Sequence, residues 1–189
     1  MTKFITIVSG LPRSGTSMMM KMLEAGGMPV VADHLRTADE DNPKGYYEFE
    51  RVKQIETDKA WLPEAQGKVV KMISELLRHL PGEYHYRVVF MRRKIEETLA
   101  SQKQMLVRRS QPTNLISNEK LAELFQRHLD RTFAWLAQQP NFATQYVEYA
   151  EVMQNAAAQA ERINAFLDHR LQVEKMIGVV DQALYRQRK

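Results

Sequence analysis

Val8-Ser-Gly-Leu-Pro-Arg-Ser-Gly-Thr-Ser17 is the stretch on which the fold of this chain turns. The apolar run before it, Phe4-Ile-Thr-Ile-Val8, reads as a buried strand. The segment after it, Ser17-Met-Met-Met-Lys-Met-Leu-Glu-Ala25, reads as a helix. A strand, a glycine-bracketed loop and a helix in that order aim backbone N–H groups and a helix N-terminus at one point, where phosphate or sulfate binds. Gly10-x4-Gly15 followed by the hydroxyls of Thr16 and Ser17 has the spacing of a P-loop, with one departure. Where that pattern carries a lysine for the β- and γ-phosphates of a nucleoside triphosphate, this chain has Thr16. The cation stands inside the loop as Arg13. The loop keeps a phosphate cradle and lacks the triphosphate lysine.

Working outward, the chain alternates strand and helix signals. Gly26-Gly27 end the first helix, and Met28-Pro-Val-Val31 leads into a turn-rich, charged segment over 33–47. A helix is expected from Glu48 to about Trp61, a short strand over Lys68–Met72 and a stronger one over Tyr86–Met91. Helical spacing follows from Lys94 to about Val107, with Ile95, Leu99, Gln102 and Leu106 on one side. After a polar loop, Asn118 is expected to cap a long helix whose apolar stripe is Leu121, Leu124, Phe125, Leu129, Phe133 and Leu136. Ala143–Val147 reads as a strand and Val152–Leu167 as a closing helix. This alternation predicts an α/β three-layer sandwich, a central parallel sheet flanked by helices, formed as one domain over residues 1–189.

Composition narrows the function. With 44% hydrophobic and 26% charged residues this is globular-protein composition. No cysteine is present, which excludes disulfides and thiolate zinc sites. Met1-Thr-Lys leads straight into a strand with no signal-peptide pattern, and no run approaches the ~18–20 apolar residues of a membrane span. A cytoplasmic location with no membrane partner is the expectation. A net charge of +4 suits anionic ligands but is too weak and too dispersed to indicate nucleic acid.

A second group of residues falls just beyond a strand end. Val88-Val-Phe-Met-Arg-Arg93 precedes a helix bearing Ser101, eight residues past Arg93. An arginine fork and a hydroxyl make charge-assisted bonds to a dianionic phosphate. Together with Pro12-Arg-Ser-Gly-Thr-Ser17, this resembles the sulfotransferase superfamily. Its members bind 3′-phosphoadenosine-5′-phosphosulfate (PAPS) through a Pro-(Lys/Arg)-Ser-Gly-Thr-(Ser/Thr) loop. Arg13 gives the arginine form of that loop, as in protein-tyrosine, carbohydrate and many bacterial members. Arg93 and Ser101 correspond to the family's pair for the 3′-phosphate. The chain departs from the family at Lys94, where an acidic residue is common, and at Glu96, where a second arginine often sits.

Two further segments resemble the bacterial branch, Asp41-Asn-Pro-Lys-Gly-Tyr-Tyr-Glu48 and Val147-Glu-Tyr-Ala-Glu-Val152 with Tyr149 at the family's tyrosine position, and Val180 to Arg186 resembles a basic C-terminal segment of some relatives. The resemblance implies a PAPS-dependent sulfotransferase without a metal, acting on a hydroxyl or amine of a small-molecule or carbohydrate acceptor. The sequence names neither that acceptor nor an oligomeric state. The implied nucleotide contacts are Pro12, Arg13, Ser14, Gly15, Thr16, Ser17, Arg93, Ser101 and Tyr149. Arg13 and Lys71 are the implied cations at the transferring group. Glu48 and His34, the latter oriented by Asp33, are rival bases for the acceptor proton.

His79 and His85 read as structural or exposed, Met18, Met19 and Met22 as core, Trp61 and Trp135 as packing residues, and Arg108-Arg109 as solvated. Two other functions fit parts of the pattern. An ATP-dependent kinase would need the lysine that Thr16 replaces. A non-catalytic nucleotide-binding module would need Arg13, Arg93 and Ser101 but none of Lys71, His34 and Glu48.

Overall fold

The computed structural model describes residues 4–33, 47–113 and 116–181. Its centre is β1, Ile5–Gly10, in which every residue is buried. An unbroken apolar run suits a parallel strand covered on both faces. The remaining strands are β2 (Val30–Val31), β3 (Val69–Lys71), β4 (Tyr86–Arg92) and β5 (Phe142–Glu148). They form one five-stranded sheet in the order β2-β3-β1-β4-β5. All four pairings are parallel, with Val8 opposite Lys71 on one side and Val89 on the other.

Two apolar layers cover the sheet. One face carries α1 (Thr16–Ala25), α5 (Tyr149–Gln154), α6 (Ala156–Phe166) and α7 (Val173–Ile177), packed on Val8, Val69, Val89 and Val147. Met19, Met20 and Met22 are wholly buried there, while Met18 is only partly covered. Burying each such side chain contributes about 1.5–3 kcal/mol. The other face packs Ile5, Ile7, Val88 and Phe90 against the short α2 (Leu62–Ala65), against Val52 and Ile55, and against α4 (Asn118–Leu136). Trp61, 3% exposed, meets Phe49 edge-on, and Trp135 meets Phe142 in the same manner. Between β4 and α4 lies α3, Ile95–Arg108.

Several elements differ from expectation. The helix predicted over Glu48–Trp61 is instead a 3-10 turn at Glu50–Gln54. Asp58 breaks it by accepting the Ala60 amide at 3.1 Å and the Arg51 guanidinium at 2.7 Å, a local side-chain bond that competes with the helical ladder. The cap of α4 is Ser117, whose Oγ accepts from the Lys120 amide at 3.2 Å, and not Asn118. Leu124 on the predicted stripe is 40% exposed. The closing helix begins at Tyr149 and is split at Asn155, whose side chain caps α6 through the Ala158 amide at 3.1 Å.

Candidate functional site

The sheet order fixes where a ligand can bind. From β1 the chain runs into α1 on one face, and from β4 it runs through α3 to α4 on the other. Neighbouring strands whose connections leave to opposite faces open a crevice at their carboxyl ends, the usual ligand position in such sheets. The loop after β1 and Arg93 after β4 both lie at that crevice.

The loop owes its shape to two glycines. Gly10 has φ 148°, and a Cβ there would stand 2.5 Å from the Met91 carbonyl oxygen of β4. Gly15 has φ 97°, and its Cβ would stand 2.5 Å from Cδ2 of Tyr149. Ser14, 1% exposed, closes the turn through its Oγ, which donates to the Leu11 carbonyl at 2.7 Å. Its hydroxyl is spent on holding the loop. Arg13 adopts φ 69° despite its side chain, a backbone state that costs about 1–3 kcal/mol and persists where surrounding contacts impose it. The amide of Met19 donates to the Gly15 carbonyl at 3.1 Å, so α1 starts directly at the loop with Thr16 and Ser17 at its first positions.

Arg93 is one of those surrounding contacts. Its Nη1 donates to the Arg13 carbonyl at 3.3 Å, and its guanidinium carbon lies 4.6 Å from the centre of the Tyr149 ring. Its Nε donates to Glu97 Oε2 at 2.9 Å, with the two side chains only 8% and 3% exposed. Ser101, two turns into α3 from Lys94, accepts from Arg13 Nε at 3.1 Å. Arg13, Arg93, Ser101, Gly15 and Tyr149, far apart in sequence, therefore meet at one place.

Lys71 ends β3 beside the loop, and its Nζ donates to Ser17 Oγ at 3.2 Å. Two side-chain cations thus reach the loop from different strands, Arg93 from β4 and Lys71 from β3. Glu48 lies farther out at the same end of the sheet, where its carbonyl accepts the Asp33 amide at 3.1 Å just beyond β2. Asp33 in turn accepts the Glu50 amide through Oδ2 at 2.6 Å, which brings its carboxylate to the 3-10 turn. His34 and the Asn-Pro-Lys-Gly part of the bacterial-type segment lie outside the described residues, as does the C-terminal stretch beyond Asp181. Tyr47 returns the chain to α1 by donating to Glu24 Oε2 at 2.6 Å. Burial first, and that bond second, push its phenol well above the ordinary tyrosine range.

Pro12 is exposed at the loop tip. On the α4 side of the loop a cleft of about 240 Å³ is lined by Leu11, Ser14, Arg92, Lys94 and Phe133 among others. Lys94 and Glu96, the departures from the family pattern, are exposed at the start of α3. His85 is exposed, His79 half-buried and Arg108-Arg109 exposed. Sequence reasoning passed over two residues. Glu97 faces inward, four residues after Arg93, and that i,i+4 spacing of opposite charges was the available signal. His128 on α4 bonds through Nε2 to Ser74 Oγ at 2.8 Å, three residues beyond Lys71. Nothing in the sequence links those two positions.

No protein-family model and no curated protein sequence matches this chain. Solved structures do. Sulfotransferase STF9 from Mycobacterium avium superposes with TM-score 0.61 at 15% identity, over 100% of this chain and 70% of that one. Mouse sulfotransferase SULT7A1, crystallised as a complex with PAP, gives TM-score 0.52 at 14% identity over 94% of this chain. The sulfotransferase domain from the curacin biosynthetic pathway gives TM-score 0.52 at 13% identity, over 88% of this chain and 74% of that one. This chain spans 62% of the length of the mouse enzyme. The five-stranded parallel sheet, with its helical layers on both faces, is the fold of the sulfotransferases.

Proposed function

We propose that the protein transfers a sulfuryl group from PAPS to a hydroxyl or amine acceptor. The observation that carries this reading is the meeting of Arg93 and Ser101 with the loop at Arg13, which supports a second anion subsite beside one in the loop. A donor with a phosphate at each end of its ribose matches two adjoining subsites, whereas ATP bears all its phosphates at one end. Thr16 in place of the triphosphate lysine favours the same donor.

In this reading the amides of 13–17 and the Arg13 guanidinium hold the 5′-phosphosulfate, with Ser14 shaping the turn. Arg93 and Ser101 take the 3′-phosphate, and Tyr149 braces Arg93 by its ring. The acceptor oxygen or nitrogen attacks sulfur as the bond from sulfur to the bridging phosphate oxygen breaks. Charge that grows on the departing phosphate is met by the loop amides and the start of α1. Lys71, at Ser17, neutralises the sulfuryl oxygens. The acceptor proton passes to Glu48 or His34, and PAP leaves. The superposition with the mouse enzyme, solved with PAP, supports this reading.

Thermal melting tests it. A nucleotide at ~100 times its dissociation constant stabilises the fold by about 2.7 kcal/mol. PAP is expected to raise the melting midpoint of the wild type and not of Arg93→Ala. A response to ATP with Mg2+ and none to PAP would sink the reading and favour a kinase.

A further inference from the structure

Glu97 is a buried carboxylate beside a proposed phosphate site. By charge alone it should oppose an anionic ligand. Its side chain is 3% exposed, and it lies on the inward face of the first turn of α3 with Thr98 and Leu99. A carboxylate is buried in this manner only when paired, because desolvation of the ion is otherwise too costly. Its partner is Arg93, through Nε at 2.9 Å.

That bond has a geometric consequence. A guanidinium is a rigid planar fork, so fixing Nε and one face fixes the directions of all its remaining donors. Glu97 holds the Nε edge, the Tyr149 ring covers a face at 4.6 Å, and the Arg13 carbonyl takes Nη1 at 3.3 Å. The ordering cost of a long arginine is thus met before a ligand arrives, which favours binding by preorganisation. Ser101 stands one helical turn beyond Glu97 on the same helix, so the carboxylate and the hydroxyl share one rigid frame.

We infer that Glu97 is the positioning residue of the second anion subsite, orienting Arg93 so that the protein selects nucleotides carrying a 3′-phosphate over those carrying only a 5′-phosphate. The inference rests on the donor reading above and adds to it the residue that sets its selectivity. Glu97 does not touch the ligand. It acts through Arg93, and its own negative charge is cancelled by that pair.

The test compares PAP with 5′-AMP by calorimetric titration of wild type, Glu97→Gln, Glu97→Asp and Arg93→Ala. Glu97→Gln is expected to lower the wild-type preference for PAP by roughly tenfold, the worth of one charge-assisted contact, while 5′-AMP affinity holds within about threefold. Glu97→Asp, which keeps the charge but shortens the reach, is expected to fall between. Added to Arg93→Ala, Glu97→Gln should change the preference no further, because the route through Arg93 is already cut. An unchanged preference in Glu97→Gln would overturn the inference, and so would a stronger preference, which would mean that the carboxylate only repels phosphate. Loss of a cooperative melt in both Glu97 variants would overturn it as well, reducing the pair to a structural one. A wild type that binds PAP no better than 5′-AMP would remove the donor reading itself, a result separate from all of these.

Discussion

Arg13 Nε donates to Ser101 Oγ at 3.1 Å, joining residues 88 positions apart. The loop after β1 and the helix after β4 are therefore in direct side-chain contact. The register of β1 on β4, with Gly10 opposite Met91, brings the ends of both strands to the same height. The loop and the start of α3 become one surface as a result.

From this contact we expect Arg13→Ala and Ser101→Ala to be non-additive in PAP affinity. Each removes a bond to a charged group, worth about 1.5–3 kcal/mol, or roughly 10–150-fold in dissociation constant. Because the two touch, the double variant should lose less than the sum, by about 0.5 kcal/mol or more. Titration of the four proteins with PAP measures the coupling, and strict additivity would mean that the contact is unconnected with nucleotide binding.

The glycines of the loop make a prediction about folding. A methyl group on Gly10 meets the Met91 carbonyl, which is backbone and cannot move away. A methyl group on Gly15 meets the Tyr149 ring, which can rotate off Arg93. Both positions also have positive φ, which adds about 1–2 kcal/mol for a side chain. Gly10→Ala is expected to be the more destabilising by urea denaturation. Gly15→Ala should fold yet bind PAP poorly, since Tyr149 leaves its place against Arg93. Equal stability losses with intact binding in Gly15→Ala would contradict this account.

How much of this was legible beforehand depended on the range of the interactions. β1, the loop and α1 could be read because apolar run, glycines and hydroxyl pair are local and agree with one another. Arg93 and Ser101 stand eight residues apart within one strand-to-helix junction, and the structure brings both to Arg13. The 3-10 turn at Glu50–Gln54 was missed because Asp58, four residues past its end, diverts the backbone. α7 was missed because five residues carry too little periodicity, and it is held by tertiary packing of Val173 and Met176 on the first apolar layer. Glu97 was passed over because an acidic residue in a first helical turn ordinarily faces solvent and serves the helix dipole. Here it is turned inward, paired with the buried arginine.

Lys71 should separate binding from chemistry. Its Nζ is at Ser17, and the group it is proposed to neutralise, the sulfuryl, is absent from PAP. Lys71→Ala is expected to bind PAP within about threefold of wild type while slowing breakdown of PAPS to PAP by roughly 10²-fold or more, the usual cost of losing one charge-stabilising donor. Release of PAP from PAPS, with water as acceptor, measures the rate without knowledge of the natural acceptor. A parallel loss of PAP affinity would instead assign Lys71 to holding the loop.

His128 and Ser74 tie α4 to the carboxyl end of β3, and the burial of His128 there should make stability depend on pH. Burial, the largest influence, holds the His128 pKa below its ordinary value near 6.5; Glu75 opposes that shift, and Arg78 and Arg131 reinforce it. The folded state therefore binds this proton less readily than the unfolded chain does. Stability from the neutral imidazole is fully present above about pH 6.5 and declines as the pH falls below that value, because the unfolded state then takes up more protons. Thermal melts from pH 8 to pH 5 should show the wild type losing more stability than His128→Gln, whose amide can keep a bond to Ser74 and does not titrate. If the two pH profiles run parallel, the acid-sensitive part of the fold lies elsewhere and His128 serves only as a packing residue.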